Sequence, residues 1–228
     1  MALQEPILRL SGFAVKPGKL DPFGDKGQPM ALTNGRRGVD EERDGRRRRS
    51  AASRQKIVAA MLDLVRRGET APSADLVAEQ AGVGRRTVFR LFNDMDSIYR
   101  EMHLEMRRRL APIIMSPVKG DSPRDRLASL IDRRVRFFEE VLPLSVAAAV
   151  HRPRSPFLQA DQAAIAAELR GLLAAHLPPA MVADTLRFEG LDAVLSPEMW
   201  RRLRVDQKLS AADSTAVLKQ TALALFES

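Results

Sequence analysis

From Ser50 to the C-terminus, apolar residues recur at intervals of three and four. No stretch shows the two-residue alternation or β-branched clustering of a strand. The pattern predicts an all-α fold. Helices are expected over residues 53 to 67, 74 to 81, 85 to 92, 95 to 110, 123 to 142, 145 to 151, 156 to 176, 179 to 195, 197 to 204 and 211 to 226. Three dipeptides, Ser122-Pro123, Ser155-Pro156 and Ser196-Pro197, mark helix starts. The hydroxyl can accept from free first-turn amides, and the fixed φ of proline suits the first helical position. Pro112 is expected to stop the fourth helix.

Residues 1 to 49 differ. Glycines and prolines from Gly12 to Gly45 interrupt any period, so this segment is expected to be a disordered extension, ending in Arg46, Arg47, Arg48 and Arg49. Met30 is an alternative start. No repeat of 20 to 50 residues is apparent, which disfavours a helical solenoid.

Charge narrows the partners. The formal net charge of +8 favours something anionic, whether nucleic acid, an acidic membrane surface or an acidic ligand. The absence of cysteine excludes disulfides, thiolate nucleophiles and thiolate metal sites, and points to a cytoplasmic protein. The apolar residues Ile7, Leu8, Leu10, Phe13 and Val15 are interrupted by Arg9 and Gly12, too short for a signal segment. No apolar run is long enough to cross a bilayer, so no membrane association is expected. His103, His151 and His176 lack ligand spacing, so neither metal nor cofactor is expected. Glu139 and Glu140 are adjacent and point to different helix faces. With no nucleophile elbow or phosphate-cradling glycine loop either, the chain does not read as an enzyme.

The most informative stretch lies between Ser53 and Tyr99. The first helix puts Ile57, Ala60, Met61, Leu64 and Val65 on one face and leaves Arg54, Lys56, Asp63, Arg66 and Arg67 to water or phosphate. Gly68 ends it. Ser73 can cap a short helix carrying Leu76, Val77 and Ala81. The chain turns at Gly82, with Val83 in the angle, and a second short helix buries Val88 and Phe92. Arg85, Arg86, Phe89 and Arg90 remain outward. Two short helices at a steep angle about a glycine turn make a helix-turn-helix, and such a basic face suits a DNA major groove.

The run AEQAGVGRRTVFRLFNDMDSIY, preceded by SRQKIVAAMLDLVRRG, resembles the N-terminal domain of TetR-family regulators over about residues 53 to 99. Ala78, Ala81, Gly82, Val83, Thr87, Phe92 and Ile98 fill the family pattern in order. The resemblance implies that the residues opening the second helix touch bases and that Thr87 bonds a phosphate. Three positions depart from the pattern: Phe89 stands in place of tyrosine, Leu91 of histidine and Met95 of lysine. The candidate DNA contacts are Ser73, Arg85, Arg86, Thr87, Phe89, Arg90 and the run Arg46 to Arg49, which alternatively is a solvated tail. Phe89 either packs on the first helix or meets a thymine methyl, and Thr87 either bonds phosphate or its own backbone.

The implied organisation is an extension over 1–49, a DNA-binding domain over 50–98 and a helical ligand-binding and dimerisation domain over 99–228. The implied partners are a palindromic double-stranded DNA operator, a small-molecule effector and a second copy of the chain. The implied action is that of a repressor released by its effector through movement of the fourth helix; a constitutive or architectural DNA-binding protein is the alternative. Candidate ligand contacts are His103, Phe137, Phe138, His151 and Phe157. Candidate dimer contacts on the last two long helices are Leu186, Val194, Leu218, Ala222 and Leu225, because both helices are apolar on more than one side.

Overall fold

The computed structural model describes residues 34 to 228, with side chains from residue 44. Residues 1–33 of the expected extension, and Met30 with them, lie outside the described residues. Among the described residues all regular structure is helical. The helices are α1 (Asn34–Arg66), α2 (Ala74–Ala81), α3 (Arg85–Leu91), α4 (Met95–Ile114), α5 (Pro123–His151), α6 (Pro156–Ala174), α7 (Pro179–Ala183), α8 (Thr185–Val194), α9 (Pro197–Arg201) and α10 (Ala211–Glu227). A 3-10 turn, Arg152–Arg154, joins α5 to α6, and a π-helical turn, Arg202–Asp206, follows α9.

The described residues divide into two units, one ending at Arg48 and the other running from Arg49 to Ser228. In the first, the expected disorder gives way to helix from Asn34 onward. The glycines that suggested a break each cost a helix only about 1 kcal/mol. The sequence between them is dominated by Glu and Arg, which favour helix. Asp44 and Arg48 add an i,i+4 pair at 2.6 Å.

The second unit holds two apolar clusters. One gathers α1 to α4 around Ile57, Met61, Leu62, Val88 and Phe92, and takes in Ala147 of α5 and Leu158 of α6. The division expected at residue 98 therefore crosses a shared core, and α4 runs straight through it. The other cluster joins α5 through α10 around Leu130, Ile131, Phe138, Leu191, Trp200 and Leu218. Each such side chain contributes about 1.5 to 3 kcal/mol on burial. Arg134 is 3% exposed within this cluster and ties three elements together, donating from Nη1 to the Leu195 carbonyl at 2.6 Å and from Nη2 to that of Leu169. Burial lowers its pKa to about 10, which leaves it a cation at neutral pH.

The Ser-Pro starts fall where the sequence puts them. Ser122 accepts from Asp125 N at 3.1 Å in a capping box, Ser155 from Leu158 N at 3.0 Å and Ser196 from Met199 N at 3.2 Å. The internal breaks differ. Pro112 does not stop α4, which continues to Ile114. Pro143 lies inside one continuous α5 where two helices were expected. A helix-interior proline costs about 3 kcal/mol. Phe138 before it and Ala147 after it are both buried, so packing of the two flanks offsets that cost. Conversely, residues 179 to 195 split into α7 and α8 at Asp184, whose extended backbone ends one helix while its carboxylate accepts from Arg187 N at 3.2 Å and starts the next.

Candidate nucleic-acid interface and cavity

The helix-turn-helix is built from its caps inward. Ser73 Oγ accepts from Leu76 N at 3.2 Å to begin α2. Gly82 ends it in the left-handed region at φ 62, where a side chain would be strained, and Val83 N closes the turn onto the Ala78 carbonyl at 3.0 Å. Gly84, extended, starts α3 two residues later. Beneath α3, Val88, Leu91 and Phe92 are buried. Leu91 joins the floor, which the sequence reading assigned to Val88 and Phe92 alone.

Arg85, Arg86 and Arg90 are exposed on the opposite face, and Thr87 is half-buried. Phe89 is 56% exposed. Arg85 is occupied on both sides: Nη1 donates to Asp75 Oδ2 at 3.1 Å and the guanidinium lies 5.5 Å from the Phe89 ring centre. The Arg46 to Arg49 run is exposed and helical.

Arg54, expected to be free for water or phosphate, is instead a clamp. It donates to the Leu91 carbonyl at 2.7 Å and to Glu101, and its guanidinium sits 4.5 Å from the Phe92 ring centre. One α1 side chain thereby fixes the end of α3 and the side of α4. Arg67 is paired with Asp63 at 2.6 Å.

Behind the helix-turn-helix, α4, α5 and α6 line a cavity of about 240 Å³ that reaches Met61 and Val65 of α1 and Thr70 after it. Of the predicted ligand contacts, His103, Phe137 and His151 line it. Phe138 does not: it is 1% exposed in the second cluster against Trp200. Nor does Phe157, which is held between the His103 ring, at 6.1 Å, and the Arg100 guanidinium, at 4.8 Å. Both are spent on packing within the chain.

The polar groups of the wall were hard to foresee. His103 Nδ1 and Asp161 stand 2.8 Å apart, Arg107 reaches Glu168 at 3.0 Å, and His151 Nε2 donates to the Thr70 carbonyl at 2.9 Å. These partners are 58, 61 and 81 residues apart, respectively. Tyr99 packs 5.8 Å from the His151 ring, and burial, then the charge of Asp96, pushes its phenol pKa up. It stays a neutral hydroxyl at ordinary pH. Asp96 serves two helix starts, lying in the first turn of α4 and accepting from Ser155 Oγ at 2.5 Å and from Phe157 N at 3.4 Å at the head of α6.

No family model and no curated protein matches the chain. Among solved structures, it is similar to the crystal structure of a transcriptional regulator from Rhodococcus sp. Rha1. The TM-score is 0.62 at 19% identity, covering 76% of this chain and 96% of that one. The chain has that regulator's fold.

The expected dimer contacts divide. Leu186 on α8 is 86% exposed, and Val194 and Leu225 are half-buried. Leu218 and Ala222 are corrected: at 1% and 0% exposure they are covered by their own subunit, packed in the second cluster where α10 meets α5 and α8. Val217, on the same helix, is 39% exposed. Among the described residues no helix is long and apolar enough to cross a membrane.

Proposed function

We propose that this chain is a TetR-like homodimeric transcription regulator, acting in the cytoplasm as a repressor released from a palindromic operator by a small molecule. The observation that carries the reading is the outward Arg85, Arg86, Phe89 and Arg90 face of α3, seated on buried Val88, Leu91 and Phe92. A helix so presented can enter a major groove, with guanidiniums forking onto guanine edges and Phe89 against a thymine methyl. Thr87, Ser73 and the Arg46 to Arg49 run add phosphate contacts. Arginines replace the tyrosine and lysine contacts missing at Phe89 and Met95, so binding is steeply salt dependent.

Release by a ligand, rather than constitutive binding, is supported by the cavity between α4, α5 and α6, whose wall includes residues of α1 and α4 that hold the helix-turn-helix. Dimerisation through α8 and α10 is supported by Leu186, an apolar side chain left in water.

Selection of bound sequences from random DNA tests the reading. The expected product is a two-fold symmetric site. Arg85→Ala or Arg86→Ala should relax base preference at one position per half-site, each lost bidentate contact costing about 1 to 3 kcal/mol. No enriched sequence, or one lacking symmetry, overturns it.

A further inference from the structure

The cavity's shape and its charges together restrict what can fill it. Its wall along α5 runs from Leu130 to Arg152, about 33 Å at 1.5 Å per residue. The α4 and α6 sides of the wall are long as well, from Tyr99 to Ile114 and from Leu158 to Leu172, so the space is a slot elongated along the helices. Most of the lining is aliphatic, with Met102, Met106, Leu110 and Ile165 typical of it. A long flexible apolar body fits this better than a fused-ring or sugar-like one.

The wall also carries four arginines and three carboxylates, and their pairing is uneven. Arg107 is matched to Glu168 at 3.0 Å, Asp161 to His103 at 2.8 Å, and Glu198 takes Gln162 Nε2 at 2.9 Å. Arg133 uses Nη1 on the Ser116 carbonyl at 2.9 Å and leaves Nη2 buried with no partner. Beside it, Arg134 leaves Nε buried with no partner. Among the described residues neither forms an ion pair with a carboxylate. Burial, and then Arg136, lower the pKa of Arg133. A buried guanidinium nitrogen without an acceptor is destabilising, and a turn of the Arg133 side chain that brought it onto an anion carried by a ligand would remove that cost. Arg152, at the other end of the slot, also has a buried unpartnered Nε, but it caps the C-terminal end of α5, where helix carbonyls already favour a cation.

We propose that the slot takes a long-chain carboxylate, its head group against Arg133 and its tail running between α4, α5 and α6 toward Tyr99 and His151. This inference rests on the cavity being the effector site. It names the effector class as an amphipathic acid with one anionic end, preferred over neutral alcohols and esters and, more strongly, over amines and planar cations.

The test is calorimetric binding to the full chain without DNA. Dodecanoate is compared with methyl dodecanoate, dodecanol and dodecylamine. Dodecanoate should bind at least about tenfold more tightly than the ester or the alcohol, about 1.4 kcal/mol, because only it can form charge-assisted hydrogen bonds. Arg133→Gln should erase that preference and leave dodecanol affinity unchanged, whereas Arg152→Gln should keep it. If Arg133→Gln does not fold, Arg133→Lys and the ranking on the unaltered chain decide: the lysine variant should keep a reduced preference for the acid. Equal affinity for acid and ester, tighter binding of the amine, or a preference abolished by Arg152→Gln but not by Arg133→Gln overturns the proposal. Tight, Arg133-dependent binding that leaves DNA occupancy unchanged would uphold the ligand class and count against the regulator reading alone.

Discussion

Two arginines that look alike in the sequence do opposite things in the fold. Arg54 is committed to Glu101 and Leu91, which lie 47 and 37 residues away, and a helical wheel of α1 gives no sign of either. Arg85 projects from α3, and its partner Asp75 is only ten residues off. The exposed basic face of α3 was therefore legible from local spacing, while the clamp was not. The Arg85–Asp75 pair is 63% and 65% exposed, so it contributes at most about 1 kcal/mol. In a groove, however, the same carboxylate would compete for the guanidinium and repel phosphates. Asp75→Asn should thus tighten binding to the selected site about three- to tenfold at low salt. Because Asp75 sits in the first turn of α2, the same change should cost stability about 0.3 to 1 kcal/mol. Fluorescence anisotropy against labelled duplex and a urea titration read the two effects. Unchanged or weaker DNA binding would place Arg85 outside the groove.

Helix starts were legible and helix interruptions were not, for a physical reason. A cap is a local contract between a hydroxyl and an amide three residues on, so Ser122, Ser155 and Ser196 announce themselves. Whether Pro143 breaks a helix depends on what both flanks pack against, which is tertiary information. The three caps are not equal either. Ser196 bonds the Met199 amide and the Ala193 carbonyl within its own stretch of chain. Ser155, 3% exposed, also donates to Asp96, so it fastens the head of α6 to the head of α4. Ser196→Ala should cost about 1 kcal/mol. Ser155→Ala should cost about 2 to 3 kcal/mol, since the cap and a charge-assisted bond to Asp96 go together. Equal urea midpoints for the two variants would mean that the Ser155–Asp96 bond adds nothing to the tie between α4 and α6.

At the scale of residues 49–228, the two apolar clusters share α5 and α6, so whatever fills the slot between α4, α5 and α6 presses on side chains that also floor the helix-turn-helix. The most direct link is His151. It lines the slot, packs on Tyr99 and donates to the carbonyl of Thr70, in the segment between α1 and α2. A ligand tail reaching His151 can hold that bond only by fitting around it. If the bond survives in the DNA-binding state and breaks in the ligand-filled one, it is part of the differential energy through which a ligand acts, and nothing without such a difference can shift the equilibrium. A net hydrogen bond of about 0.5 to 1.5 kcal/mol is a factor of roughly 2 to 12. His151→Phe keeps a ring for Tyr99 and removes only the donor. Operator affinity without ligand should then fall by that factor, and the further loss on adding effector should shrink by the same factor, as the two halves of one thermodynamic cycle. Titrating labelled operator with and without effector measures both. A variant with a normal ligand response would assign the coupling to α4 alone, moving against α1 without the help of Thr70.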